Sequence, residues 1–428
     1  MPTTARPPTR HHRNGYPLRT ARAATLGAST LRLPRAGARA LSDQVNFLDI
    51  VEEHDGNEAL DVEAEATGSF PDIDKPWNPE SIRVGTKSFS LRNMLDAIEE
   101  NSLDLAPDFQ RLHVWTKVQK AQLIESILLQ IPLPAFYFAE DPDGTLRVVD
   151  GVQRLSTIDD FVRGGSDHAG GFALEGLEYI ASVIGMRFGD LPPLWQRRIY
   201  NTQIVAHVIA PSTPSPVMYD IFRRINTGGT PLNAQEIRHC MSKPRSRNFL
   251  RTLTALSEFN VATNGLLAKQ RRMIDREVAL RFCAFFLSDP LSYNYRTIDE
   301  FLWDATEQID DPSKISDHDL ANIQSAFVRG LGFARAVFGA HAFRKWPVGD
   351  DRLRPINRAL FESWTVELAR IGEAPALSAG ARIAASARQV MTVDPAYISS
   401  ITASTGTPSR VHTRFRTARE IVEDATDA

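Results

Sequence analysis

The chain has 428 residues, of which 43% are hydrophobic and 24% are charged, so it can bury a sizeable core and build two domains with tails. Its formal net charge of −3 excludes a globally basic nucleic-acid-binding protein, and any such contact must come from a local basic patch. Its two distant cysteines, Cys240 and Cys283, argue against a disulfide framework or a zinc site, and no apolar run is long enough to span a bilayer. We therefore predict a cytoplasmic protein with no membrane partner.

The first 81 residues fall into two segments of opposite charge. Residues 1–42 hold eight arginines and no acidic residue, a composition typical of a disordered extension or of an organelle transit peptide. Proline and glycine interrupt any helix there, which favours the disordered extension. Residues 43–81 are acidic, and we expect a poorly ordered segment, either a solvating tail or an arm over a basic groove.

Regular structure is predicted from about residue 82. Leu91, Leu95 and Ile98 recur at helical spacing, and Thr116 with Gln119 has the pattern of a capping box that opens the next helix. Residues 136–139 and 146–149 are separated by a turn of the Asp-Pro-Asp-Gly type and predict a β-hairpin.

The most informative segment follows that hairpin. Asp150, Gly151, Gln153 and Arg154 lie where the strand gives way to a helix from about Leu155. Backbone N–H groups and the positive end of the helix dipole favour an anion at such a turn. Arg154 can bind phosphate oxygens, and Asp150 can bind Mg²⁺ or act as a base. A solvated turn with a surface arginine is the alternative.

A second glycine-containing loop lies at residues 226–229. Asn226, Gly228 and Gly229 can turn backbone N–H groups toward phosphate. Arg223 and Arg224 end the helix that we predict for residues 217–224, and the spacing leaves open which of the two faces the loop. A Gly-Gly hinge between domains is the alternative. Asn233 with Glu236 predicts another capping box.

The remainder of the chain is predicted to be helical. Apolar periodicity indicates helices over residues 272–286, 323–338 and 355–371. Three arginines near the C-terminus form the best candidate for a nucleic-acid backbone contact, the alternative being a solvated face. They are Arg410, Arg414 and Arg416. Lys243, Arg245 and Arg247 could extend this basic patch.

Three ordered motifs resemble the GmrSD restriction-endonuclease N-terminal domain family, a ParB/sulfiredoxin-like group. The first runs from Pro107 to Trp115 and contains Gln110 and Arg111, the second is the Asp150 turn, and the third runs from Phe222 to Arg238. The second departs from the family pattern where Val152 replaces the usual glutamine.

The resemblance implies an α+β fold, with a small ParB-like mixed sheet and flanking helices over residues 82–232 and an all-helical domain over 233–428. It also implies an NTP-binding, Mg²⁺-dependent hydrolase of a bacterial restriction or anti-phage system. Asp150 and Gln153 would be catalytic, with Asp150 as the metal ligand. Phosphate would be bound by Gln110, Arg111, Gly151, Arg154, Arg223, Asn226, Gly228 and Gly229.

Two questions stay open from the sequence. Val152 has no hydrogen-bonding group, so the chain could bind a nucleotide without hydrolysing it. No histidine spacing of the HNH nuclease type occurs, so DNA cleavage would need a separate nuclease subunit. The alternative function is a non-catalytic ParB-like DNA-binding or regulatory adaptor, and a direct nuclease is a third.

Overall fold

The structure is a computed structural model. It describes residues 52–55, 58–65, 82–105, 115–164, 171–213, 215–225, 233–268, 272–371 and 373–427.

A five-stranded mixed sheet organises the first half of the described chain, with strand order β3-β7-β5-β6-β4. Its strands are β3 (Val84–Ser90), β4 (Leu103–Asp104), β5 (Phe136–Glu140), β6 (Leu146–Asp150) and β7 (Gln203–Ile209). β5 and β6 form the predicted antiparallel hairpin, whereas β5 pairs in parallel with β7, and β6 pairs in parallel with β4. The strands therefore need crossover helices, and those helices cover the sheet.

Side-chain alternation gives this sheet two apolar faces. Phe136 and Phe138 point into a core shared with four helices, while Ala139 and Val149 point to the opposite side. The helices on the first face are α1 (Leu91–Glu99), α2 (Lys117–Leu128), α3 (Val152–Arg163) and α4 (Pro193–Asn201). Those on the second face are α5 (Ser215–Ile225) and α6 (Ala234–Met241). The sheet is thus the middle layer of three.

Short-range polar contacts fix where these helices begin. Thr116 accepts a hydrogen bond from the Gln119 backbone while the Gln119 side chain accepts one from the Thr116 backbone, and Asn233 and Glu236 make the same reciprocal pair. Both predicted capping boxes are confirmed.

The second half of the described chain is helical, as predicted. Its helices are α7 (Pro244–Thr254), α8 (Ser257–Ala262), α9 (Ile274–Leu287), α10 (Ile298–Asp310), α11 (Asp317–Phe338), α12 (Arg358–Arg370), α13 (Glu373–Val393), α14 (Pro395–Ser400) and α15 (Pro408–Asp427). Cys240 and Cys283 are buried free thiols. No helix in the described ranges is long and apolar enough to cross a membrane.

The acidic N-terminal segment differs from its prediction. Residues expected to be poorly ordered form a hairpin of β1 (Glu52–Asp55) and β2 (Glu58–Glu63) that packs into the helical region. Glu63 accepts hydrogen bonds from Lys345 at 2.5 Å and from Asn357 at 2.9 Å. Glu65 pairs with the buried Arg281 at 2.6 Å. The acidic residues are therefore counter-ions for buried cations, which a local reading of charge could not reveal.

We predicted a domain boundary between residues 232 and 233. The sheet, its helices and the helical half form one compact unit. Arg247 of α7 pairs with Asp104 at the sheet edge, and Arg238 of α6 pairs with Asp299 of α10 at 2.6 Å. Residue 233 thus marks a change of secondary structure within one packed body.

Candidate functional site

The turn between β6 and α3 is shaped by a glycine. Gly151 has a φ of 102°, and a Cβ atom built on it would lie 2.3 Å from Cδ1 of Phe136. A left-handed backbone and the close aromatic ring both exclude a side chain at this position. The chain can therefore enter α3 directly after Asp150, with the carboxylate at the strand end.

Arg154 holds the Asp150 carboxylate in place. Its Nη2 lies 2.7 Å from Oδ2 of Asp150, one helical turn earlier. The guanidinium also donates to the carbonyl oxygens of Pro134 and Ala135, the latter at 3.2 Å, and lies 4.2 Å from the ring centroid of Phe136. Arg154 is therefore fastened on several sides by groups of the protein itself.

Exposure separates the roles of the two partners. The Arg154 side chain is 12% exposed, whereas that of Asp150 is 37% exposed. Burial lowers the pKa of Arg154, and the facing Asp150 carboxylate opposes that change. A guanidinium nevertheless stays protonated in proteins. The pair thus presents a positioned carboxylate to solvent, while the arginine that orients it is largely covered.

The beginning of α3 adds anion-binding character. Gly151 has no side chain to cap the helix, and the first backbone bond of the helix joins the Leu155 N–H to the Gly151 carbonyl. The N–H groups of the first turn, including that of the half-buried Gln153, therefore carry the positive end of the dipole without a side-chain cap. A phosphate placed there would meet aligned donors beside the Asp150 carboxylate.

Two further elements pack beside β6, the strand that ends in Asp150. β4 pairs in parallel with the start of β6, with Leu103 opposite Leu146 and Asp104 opposite Arg147. On the other face, Phe222 of α5 packs in one apolar cluster with Val149 of β6. Several predicted site residues lie outside the described residues: Gln110, Arg111, Asn226, Gly228 and Gly229. The Arg223 side chain lies outside them as well.

The predicted basic patch near the C-terminus is not assembled as expected. Arg414 is fully buried and pairs with Glu362, so it cannot reach a nucleic-acid phosphate. Arg410 is partly buried and donates to the Ser399 carbonyl at 3.1 Å, while Arg416 is exposed on α15. The periodicity of a helix with a covered face explains the difference.

The residues added to that patch from α7 are also engaged. Arg245 donates to the Ile315 carbonyl at 2.7 Å and pairs with Asp317, and Arg247 pairs with Asp104. Their charges therefore join α7 to its neighbours rather than forming an open basic surface.

Residues 91–242 match the model of the family described as GmrSD restriction endonuclease, N-terminal domain. The chain carries a GmrSD N-terminal domain. The matched span begins with α1, ends directly after α6 and includes the Asp150 turn. No curated protein and no solved structure gives a significant match.

The GmrSD N-terminal domain associates the chain with restriction and defence systems, as the sequence motifs predicted. Part of its third motif is structural. Glu236 pairs with Arg272 at 3.1 Å, and Arg238 bonds Gln235 and Asp299 while being 1% exposed. These side chains join α6 to α9 and α10, so a motif match alone does not mark them as ligand contacts.

Magnesium is compatible with the turn in a limited way. No group of three or more histidine, cysteine, aspartate or glutamate side chains that could hold a metal occurs within the described ranges. Mg²⁺, however, is often held by one or two carboxylates together with substrate phosphates. The half-exposed Asp150 can supply one such carboxylate oxygen.

Three buried polar residues lie on the far side of the hairpin; sequence reasoning missed Arg147 and His239 and assigned Arg247 to the C-terminal basic patch. Arg147 is 7% exposed, His239 is 3% exposed and Arg247 is 6% exposed, and all three line one cavity. Arg147 interrupts an otherwise apolar strand, which was the one local signal available. His239 and Arg247 carried no such signal, because only packing places them beside the sheet.

Proposed function

We propose that the chain is an NTP-binding, Mg²⁺-dependent NTP-hydrolysing component of a restriction or anti-phage defence system. The observation that carries this proposal is the half-exposed Asp150 carboxylate, fixed by Arg154 beside the uncapped start of α3. Family membership supports the biological setting, and the turn supports the chemistry.

In this proposal Asp150 holds Mg²⁺ or orients the attacking water, and Gln153 positions the water or the phosphoryl group. The first-turn N–H groups of α3 receive phosphate oxygens. Arg154 acts as a positioning residue for Asp150, a different role from the direct phosphate contact expected from the sequence. Bound Mg²⁺ would offset the charge on the phosphates.

The remaining phosphate contacts of the proposal come from the neighbouring motifs. They are Gln110, Arg111, Arg223, Asn226, Gly228 and Gly229. The family pattern suggests them for this role.

Val152 provides a direct test of turnover. It replaces the family's usual glutamine, and its side chain packs partly buried against both apolar cores of the sheet. We expect Val152→Gln to raise the rate of phosphate release, because it restores a hydrogen-bonding group next to Gln153. Steady-state phosphate release at saturating NTP measures this, and an unchanged rate with unchanged folding would remove Val152 as the determinant.

The central experiment measures phosphate release from each of the four common NTPs in Mg²⁺. We expect Asp150→Asn to lower the rate by about 100-fold, the scale of a lost acid–base or metal-ligating group. Asp160→Asn is the matched control. Asp160 also lies on α3, and its carboxylate also pairs with a cation, Lys120, at 3.1 Å. Wild-type activity that survives in Asp150→Asn would refute the proposal.

We also propose a separate nuclease subunit and DNA as partners. Plasmid nicking by the purified chain in Mg²⁺ or Mn²⁺ tests this directly, because a chain that cuts DNA alone needs no such subunit. Co-purification with a nuclease, together with cleavage that requires both proteins and NTP, is the expected result.

A further inference from the structure

A large cavity lies between the sheet edge and the first helices of the helical region. Its volume is about 760 Å³, and it is bounded by β4, the β5–β6 hairpin, α6 and α7. None of the turn residues Asp150, Gly151, Gln153 and Arg154 lines it. Ligand sites often form where two parts of a protein meet, and this volume is in the usual range for small-molecule sites.

Three residues of the cavity lining have buried nitrogen atoms with no hydrogen-bond partner among the described residues. Nε and Nη1 of Arg147 and Nη1 of Arg247 make no hydrogen bond among the described residues, although both side chains are more than nine-tenths buried. The same holds for Nε2 of His239. Leaving buried charged donors unsatisfied is costly, so such groups call for a partner with acceptor oxygens.

Each arginine uses only part of its guanidinium to pair with a carboxylate. Arg147 uses Nη2 to pair with Asp141 at 2.6 Å, and Arg247 uses Nη2 to pair with Asp104. The remaining guanidinium donors stay available. Lys243 and Arg251 add positive charge to the same wall.

Two other groups of the cavity lining can accept hydrogen bonds. Burial, helped by Arg247, lowers the pKa of His239 to about 3, so the ring is neutral and can donate or accept. Asp159 of α3 has Oδ1 buried and unbonded, and burial raises the pKa of that carboxyl. The cavity lining therefore combines arginine donors with carboxylate acceptors, of which Asp159 has an unbonded oxygen that can face a hydroxyl or an N–H group.

We propose that this cavity binds the phosphate monoester of a nucleotide-sized ligand, with Arg147 and Arg247 donating to the phosphate. Asp159 faces the hydroxyl or amine groups of the same ligand. This site is additional to the NTP site proposed at the start of α3, and it lies where the sheet meets the helices.

Isothermal titration calorimetry of the full chain in EDTA, with AMP, GMP, CMP and UMP, tests the proposal. EDTA removes Mg²⁺ and so isolates this site from Mg²⁺-dependent binding at the turn. At least one monophosphate should bind, the matching nucleoside should not, and Arg147→Gln should weaken binding at least about tenfold, the effect of one charge-assisted hydrogen bond. Lys243→Gln tests the cavity without altering a buried group, and we expect about threefold weaker binding.

Asp150→Asn separates this inference from the proposed function. It should lose phosphate release from NTP yet bind the monophosphate as the wild type does. Binding lost in Asp150→Asn but kept in both Arg147→Gln and Lys243→Gln would overturn the cavity site. Absence of binding by the folded wild type, or equal affinity for inorganic phosphate, would overturn the nucleotide-sized ligand.

Discussion

The Asp150 turn and the core of the helical region both contain arginine–carboxylate clusters, yet they use charge differently. In the helical core, Glu362 is fully buried between Arg281 and Arg414. At the turn, Arg154 is covered but Asp150 keeps more than a third of its side chain exposed. In the helical core the charged groups pair with one another, whereas at the turn the Asp150 carboxylate remains accessible to a ligand.

The buried cluster has a structural role, and the cost of burying charge explains why. Charges removed from water are tolerated when each finds a partner, and Arg281 has three carboxylates: Glu65, Glu277 and Glu362. Burial raises the pKa of Glu277, but Arg358 and Arg281 stabilise the ionised carboxylate, so that the pKa falls to about 2. Buried charges whose partners are all within the cluster therefore stabilise the fold and do not by themselves indicate a binding site.

Removing the middle of the buried cluster should have the largest effect on stability. Glu362→Gln removes the carboxylate that pairs with the buried Arg414 and one of the three carboxylates around Arg281. We expect the free energy of unfolding to fall by about 3–5 kcal/mol. Denaturant unfolding measures it. Glu420→Gln, at an exposed position of α15, is the control and should change it by less than about 0.5 kcal/mol. Equal effects of the two variants would break the distinction between framework and site.

The shape of the turn can be tested with two glycines. Both Gly151 and Gly144 have positive φ, but only Gly151 has an atom within 4 Å of the missing Cβ. We expect Gly144→Ala to cost about 1 kcal/mol of backbone strain. Gly151→Ala should cost about 2–3 kcal/mol, because the Phe136 ring must also move. Thermal unfolding compares them, and similar losses would show that the ring contact does not shape the turn.

Glu125 is a buried carboxylate that is held by backbone N–H groups rather than by an arginine. Acid titration compares it with the arginine-paired carboxylates. Glu125 is buried on α2 and accepts from the backbone N–H groups of Glu178, Tyr179 and Ile180 at 2.7–3.0 Å. Although burial opposes it, these bonds lower its pKa from 4.5. Its stabilisation is therefore complete above pH 4.5 and is lost as the pH falls through the lowered value.

We expect Glu125→Gln to lower the free energy of unfolding by about 1–2 kcal/mol at pH 7. The difference from wild type should shrink as the pH falls through the lowered pKa of Glu125, because the wild-type carboxyl then becomes neutral too. Chemical unfolding at several pH values measures this. A difference that stays constant with pH would show that the carboxylate charge is not what the loop recognises.

Much of the fold was predictable because it depends on neighbours in sequence. The capping boxes at Thr116 and Asn233, the β5–β6 hairpin and the helical second half follow from local spacing and turn chemistry. The Asp150 turn belongs to the same class, because strand, glycine and helix follow one another directly.

The rest required contacts between distant residues. Nothing near Glu65 in sequence reveals Arg281, and nothing near Arg414 reveals Glu362, so an acidic arm and a basic tail were predicted where buried ion pairs exist. The cavity is of the same kind, because Arg147, His239 and Arg247 are far apart in the chain.

Local sequence accounts for the family motifs, the capping boxes, the β5–β6 hairpin and the strand-to-helix turn at Asp150. All of these rest on interactions over a few residues. Only the packed chain shows which charged side chains pair with one another. It also shows that Arg154 bonds Asp150 and nearby carbonyls, and where a cavity is lined by donors without a partner among the described residues. Burial sets the strength and availability of a charge, and burial is a property of the packed chain.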